Sequence, residues 1–434
     1  MNKVLRFFLI FLFISSCSLD KKSGFWSKPQ IIEEDKDYVV KELFQEEKNF
    51  EKELNTNARI QLKSNLSKNS FLNNLSNNIG RINYNGNLKT SSRYKFSKID
   101  NFKNFEPDVV FNNKDVIFFD NKGSILRFDQ FSKLIWKKNY YNKSEKKLKP
   151  LLNMTSYENY LIVTDNLAKY YAIDVKNGNL LWTKKNISPF NSQIKIYKNY
   201  FFVTDFENIL RCYLIKNGKE IWSIKTDKSF VKSQKKLSLV VSDGKVYFNN
   251  TVGDISAVDI DTGKLIWQTP TQDSSIFESS FRLKTSDLVL TKKSILFSNN
   301  QNEFYSLDMK TGTLIWQQKI NSIVRPSIAD NLVFTITEEG LLVIIEVGTG
   351  NIVRITNIFN IIKQKKRSSI KPVGFIIGEK KIYLTTNNGR LIIIDTATGK
   401  SESILKIDNE TISRPFVLNK NLFIIKNNAI IKLD

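Results

Sequence analysis

Histidine is absent from this 434-residue chain, and cysteine occurs only twice, at positions 17 and 212. The first absence excludes imidazole acid–base chemistry, Ser-His-Asp triads and histidine-ligated metals. The second excludes a CxxC metal site. No Walker-type phosphate loop is present. Helical stripes of 3.6 period are missing from the repeated part of the chain, which argues against a helical repeat. Acidic residues are in the minority, with 43 Asp and Glu against 66 Lys and Arg and a formal charge of +23. The carboxylates recur mostly at turns, and the spacing in "DIDTG" lacks the ligand count and closing glutamate of a calcium loop. These absences lead us to expect no catalytic residue, no cofactor and no metal.

What the chain does contain is one phrase written many times. "GDISAVDIDTGKLIW" (253–267) recurs as "FYSLDMKTGTLIW" (304–316) and "YYAIDVKNGNLLW" (170–182). Looser copies are "ILRFDQFSKLIW" (125–136) and "RCYLIKNGKEIW" (211–222), and two copies without tryptophan cover 342–355 and 391–404. Each opens with β-branched and apolar residues that suit a half-buried strand. An aspartate then accepts turn N–H groups, a glycine takes positive φ, and a second strand leaves. The glycines are Gly178, Gly218, Gly263, Gly312, Gly350 and Gly399.

A further strand precedes each copy, as in "NYFFVTD" (199–205), and an inner one fits before that, giving four per unit. Aspartates at 129, 174, 259, 308 and 395, with Glu346, set a period close to the 40–50 residues of a propeller blade. The fold expected is therefore all-β, an eight-bladed β-propeller of four-stranded antiparallel blades over 91–434. Residues 421–434 read as an eighth unit cut off after its third strand, with "SRYKFSKI" (92–99) placed to supply the fourth. That pairing of N- and C-terminal strands would remove two exposed sheet edges. Seven blades result if 421–434 only cap the ring.

Trp136, Trp182, Trp222, Trp267 and Trp316 occupy one place in the repeat. A large ring there can lock each blade to its neighbour. The other reading, stacking on a sugar or flat cofactor, sits less well with Arg354 and Ser403 at that place.

"MNKVLRFFLIFLFISSC" is separate from the repeats: two basic residues, an apolar run too short for a stable span, then two small residues and Cys17. Residues 1–17 are similar to the lipobox signal of bacterial lipoproteins. The resemblance implies cleavage before Cys17, acylation of that residue, and a lipid anchor. Loss of Lys3 and Arg6 would leave +21. Ser18, where retained inner-membrane lipoproteins carry aspartate, implies delivery to the outer membrane. Cys212 is then left without a partner and reads as a small core residue.

Residues 18–90 show no repeat and read as a tether, with an amphipathic helical pattern in 33–54 and an Asn-rich, turn-prone stretch in 69–87. Lysines cluster only in "KSEKKLK" (143–149) and "KQKKR" (363–367). An exported chain does not meet nucleic acid, so the charge reads as compositional bias or as attraction to anionic lipid or lipopolysaccharide.

The phrase "AxDxxTGxxxW" at 257–267 resembles the PQQ-type propeller repeat. One group with that repeat, the quinoprotein dehydrogenases, binds pyrroloquinoline quinone and calcium at the ring centre, and many carry adjacent cysteines that this chain lacks. The chain is more similar to the BamB family of outer-membrane lipoproteins in its lipobox, tether, blade number and length. That resemblance implies a non-catalytic scaffold of the β-barrel assembly machinery at the periplasmic face of the outer membrane. It would be a monomer within a multi-protein complex, docking the BamA-type barrel-inserting subunit and handling unfolded barrel precursors at sheet edges. The family's docking loops follow the outer strands of two central blades and correspond to 229–241 and 274–290. Phe230 and Lys232 in the first, and Arg282, Leu283 and Asp287 in the second, are the partner-binding candidates that the resemblance implies. The alternatives are a glycan- or lipopolysaccharide-binding lipoprotein and a quinoprotein-like enzyme.

Overall fold

In the turn of the best-matched copy, Asp259 Oδ1 accepts the backbone N–H of Thr262 at 2.8 Å, that of Asp261 at 3.2 Å, and the Thr262 hydroxyl at 2.7 Å. The Thr262 donors, hydroxyl first, hold the Asp259 carboxyl below its usual range. The Gly263 N–H donates to the Asp259 carbonyl at 3.0 Å and closes the hairpin. Asp308 and Asp395 repeat the arrangement with Thr311 and Thr398.

The structure, a computed structural model, describes residues 52–70, 75–100, 102, 105–226, 235–271 and 283–434. Every repeat hairpin is the outer half of a four-stranded antiparallel sheet, and eight such sheets occur among the described residues. The blades run in chain order from Val110–Lys138 to Pro372–Lys406, seven continuous units. The eighth takes Phe416–Leu418, Asn421–Lys426 and Ala429–Leu433 from the C-terminus and Thr90–Lys95 as its outer strand, with Arg93 opposite Ile431 and Lys95 opposite Ala429. The ring is an eight-bladed propeller closed as the sequence predicts.

Seven buried apolar clusters lie among the described residues, and each spans a seam between neighbouring blades. Middle strands are therefore buried on both faces, as in Ser294–Ser298, and read as near-continuous apolar runs. Outer strands carry the tryptophans. The indole N–H of Trp222 donates to the carbonyl of Ile260 in the next blade at 2.9 Å. Trp182, Trp267 and Trp316 do the same to Ile215, Met309 and Val347, and Trp136 to Lys176. Beneath each ring lies the turn glycine of the following blade: Gly178, Gly218, Gly263, Gly312 and Gly350 in turn. One repeat thus supplies both the ring and the notch that receives it.

Two seams substitute other residues. Arg354, fully buried, takes the tryptophan place over Gly399 and donates to the carbonyls of Thr396 at 3.3 Å and of Ala397. Tyr94, on the closing strand, donates its hydroxyl to the Gln130 carbonyl at 3.1 Å. Between the seventh and eighth blades, Ile82 and Tyr84 are buried with Tyr383, Ile393 and Leu433. Cys212 is a core residue between the third and fourth blades, where burial pushes its thiol up to about 12.

Candidate functional site

Residues 52–70 and 75–89 run against the blades and bond to their innermost strands. This segment enters at the rim of the sixth blade, where Leu54 and Ile355 exchange both backbone hydrogen bonds at 3.1 and 3.0 Å. It continues past the seventh blade, with Ile60 N–H on the Ala397 carbonyl at 2.9 Å, and Arg354 also donates to the Ala58 carbonyl at 2.8 Å. Ser70 and Leu75 bond to Val417 and Val241 of opposite blades. Asn77 is 1% exposed and donates its amide to Ser238 Oγ at 3.1 Å and to the carbonyls of Leu239 and Leu288 at 3.3 and 3.0 Å. In its described part, the stretch expected as a tether is a strap built into the ring. Of the helical pattern expected over 33–54, residues 33–51 lie outside the described residues, as does the lipobox, and residues 52–54 are not helical.

Beside Asn77 is an ion cluster that sequence reading does not find. Asp108, Asp287, Arg325 and Arg414 each sit two residues before the innermost strand of their blade, so the ring symmetry brings them to one level of the channel. Asp287 Oδ2 accepts from Arg325 Nε at 2.6 Å and Arg414 Nη1 at 3.2 Å. Asp108 pairs with Arg414 and with Lys236 Nζ at 2.6 Å. Burial would raise both carboxyls, but Arg414 beside Asp108 and Arg325 beside Asp287 hold them well below the carboxylate range. The only legible signal was position: charged residues at equivalent points of several blades.

Of the partner-binding candidates, Leu283 and Asp287 lie among the described residues. Leu283 is 2% exposed and Asp287 6%. Connections that lead into innermost strands point at the axis, and Asp287 follows that path. Phe230, Lys232 and Arg282 lie outside the described residues.

The rim is the second feature. Among the described residues the outermost strand of each blade has no further strand on its outer edge, and only the sixth blade's edge is met, by Leu54 at Ile355. Next to the tryptophans, Leu265 and Ile266 are 45% and 42% exposed, and the same apolar pair is exposed at Leu134/Ile135, Leu180/Leu181 and Leu314/Ile315.

Residues 121–356 match the protein family described as outer membrane protein assembly factor BamB. The chain belongs to that family. No curated protein matches it. Among solved structures, BamB from Moraxella catarrhalis is similar at a TM-score of 0.64 and 13% identity, over 80% of this chain and 99% of that one. A quinohemoprotein alcohol dehydrogenase from Comamonas testosteroni is similar at 0.60 and 11%, over 81% of this chain and 78% of that one. The computationally designed Ika8 protein stands at 0.60 and 12%, over 78% and 99%. At these identities the likeness is one of fold.

The dehydrogenases sharing the BamB fold make the ring centre the place to test for a quinone. The residues present do not fit one. The cavity left beside Asn77 measures about 90 Å³, against roughly 300–1,000 Å³ for cofactor-sized sites. Arg414, Lys236 and Asn77 line that cavity, and among the described residues no group of three His, Cys, Asp or Glu is placed to hold a metal ion.

Proposed function

We propose that this BamB-family chain is a non-catalytic scaffold of outer-membrane β-barrel assembly. In this reading it is anchored through Cys17 at the periplasmic face, docks the barrel-inserting subunit and holds unfolded barrel precursors at its blade edges. The observation that carries the reading is the pairing of Leu54 with Ile355. An extended segment already adds itself to the outer edge of the sixth blade, which is the geometry a precursor strand would need. The exposed apolar pairs beside the other edges offer side-chain contact to match.

The test is a pull-down from detergent-solubilised envelope with a tag after Asp434. The expected result is co-recovery of the barrel-inserting subunit, with precursor strands cross-linking to outer-strand positions. Precursor cross-links are expected to drop with Ile266→Lys and Ile315→Lys. Recovery of neither partner by folded, lipidated protein sinks the proposal.

A second reading, binding of lipopolysaccharide or another anionic surface, draws on the lysine-rich helices Lys143–Lys147 and Gln364–Arg367. Both lie in connections from an outer strand to the next inner strand, hence on one face of the ring. Retention of the protein on lipopolysaccharide, lost on neutralising both helices, would favour it.

A further inference from the structure

We propose that the connections flanking the second blade form a contact surface for an anionic phospholipid bilayer. Leu148 and Ile187 are the side chains that enter it, and Lys143, Lys147 and Lys185 are the cations beside them. The inference rests on the anionic-surface reading, which it narrows to one patch and one ligand, and it is independent of the scaffold reading. Leu148 is 63% exposed and Ile187 96%, the highest value for a large apolar residue among the described ones. Both occupy connections from an outer strand to the next inner strand, after Leu134–Lys138 and Leu180–Lys185, and so lie on one face of the ring. Between them is the turn of the second blade at Ala168 and Lys169. The Asn186 N–H donates to the Ala168 carbonyl at 2.7 Å, and Lys169 Nζ pairs with Glu145 Oε2 at 3.4 Å.

Local hydrogen bonds hold both tips in place. Ile187 follows Asn186, whose side-chain amide donates to the Ser188 carbonyl at 2.9 Å and to Asp205 Oδ2 at 3.1 Å, and Ser188 itself is 7% exposed. Leu148 caps the helix Lys143–Lys147 and donates its N–H to the Glu145 carbonyl at 3.0 Å, with Pro150 buried just beyond it. An apolar side chain fixed in water in this way is stabilised by transfer to an apolar phase. The charges around the tips select which phase. Glu145 is engaged by Lys169 and Asp100 by Lys149, while Lys143, Lys147 and Lys185 are exposed. Burial would raise the Glu145 carboxyl, but the Asn142 N–H, Lys169 and Lys185 hold it below its usual range, which sets Lys185 beside the helix. Protein interfaces favour arginine over lysine and bury their apolar anchors in one packed cluster. Separate apolar tips among lysines fit a bilayer instead, where the tips and the aliphatic stems enter and the ammonium groups stay at the phosphates.

Flotation of the mature chain, made from Ser18 on without an acyl group, measures its contact with vesicles of phosphatidylethanolamine and phosphatidylglycerol. Saturable binding is expected, and it should be weaker by about tenfold or more on phosphatidylcholine vesicles. Leu148→Ser combined with Ile187→Ser should weaken binding to the anionic vesicles about tenfold or more. Lys143→Gln, Lys147→Gln and Lys185→Gln together should do the same. Lys365→Gln combined with Lys366→Gln, on the other lysine-rich helix, should leave it unchanged. All of these positions are exposed, and a parent-like thermal melt checks that each variant is folded. Should the double tip variant unfold, Ile187→Ser alone serves in its place. No vesicle binding, parent-like binding by the tip variant, or a loss in the Lys365 and Lys366 variant overturns the proposal. Retention on lipopolysaccharide without vesicle binding would uphold the anionic-surface reading alone. Tip-dependent retention on immobilised polyglutamate in place of vesicles would assign the patch to an acidic protein, and either result overturns the bilayer contact.

Discussion

Trp222 lies directly over Gly263 of the next blade: a Cβ added to that glycine would stand 2.6 Å from the indole ring. Gly263 also has φ of +68°, so alanine there meets a backbone penalty and a clash together. Gly263→Ala is expected to cost about 3 kcal/mol, and Trp222→Ala a similar amount through lost packing. Trp222→Phe should cost only about 1 kcal/mol, the share of the hydrogen bond to Ile260. Urea unfolding measures all three. Because the two residues share one contact, the double variant should fall well short of the sum.

Arg354 joins three pieces of chain, donating to the carbonyls of Ala58, Thr396 and Ala397. Arg354→Met keeps a long apolar stem and removes these donors. Amide hydrogen exchange at Ile60 and Leu54 should then quicken by about tenfold or more, while blades distant from the strap keep their protection. Unchanged exchange at both amides would show that the strap is held by its backbone bonds alone.

The ring is closed by one strand, and Tyr94 is its buried anchor, 0% exposed. Tyr94→Ala is expected to destabilise by about 4 kcal/mol and Tyr94→Phe by about 1 kcal/mol. Deleting residues up to Lys95 leaves Ala429–Leu433 as a bare edge, and light scattering should report self-association. A monomeric, equally stable deletion product would contradict closure by this strand.

Stability should depend on pH through the channel. The folded-state pKa of Asp287 lies below its unfolded value, so its contribution is complete above about pH 4 and fades as pH falls toward the folded value. Lys195 titrates at about 7 when folded and 10.5 as the ordinary value, so between them the unfolded chain binds the extra proton. Stability should therefore rise from about pH 7 toward 10. Buried tyrosines such as Tyr171, whose hydroxyls burial pushes up, reverse the slope above about pH 10. Thermal melts across this range are expected to lose the neutral-to-basic rise in Lys195→Met and part of the acid limb in Asp287→Asn. A parent-like rise in Lys195→Met would remove that lysine from the account.

The sequence by itself determined the blade. A turn aspartate, a glycine and a strand that follows interact within a dozen residues, so their chemistry is local and repeats wherever the phrase does. Blade number and closure followed from the period and from the truncated last unit. Only the tertiary structure decided what fills the centre. The strap reads as a polar linker because its partners lie more than a hundred residues away: Asn77 bonds to Ser238 and Leu288, and Leu54 to Ile355. Arg354 reads as a worn copy of the tryptophan position until the carbonyls that receive its guanidinium are brought beside it. Asp287 reads as a surface charge of a long loop, yet its two arginines come from blades 38 and 127 residues further on. Closing a ring places equivalent points of distant repeats on one axis, and no local pattern in a single strand records that convergence.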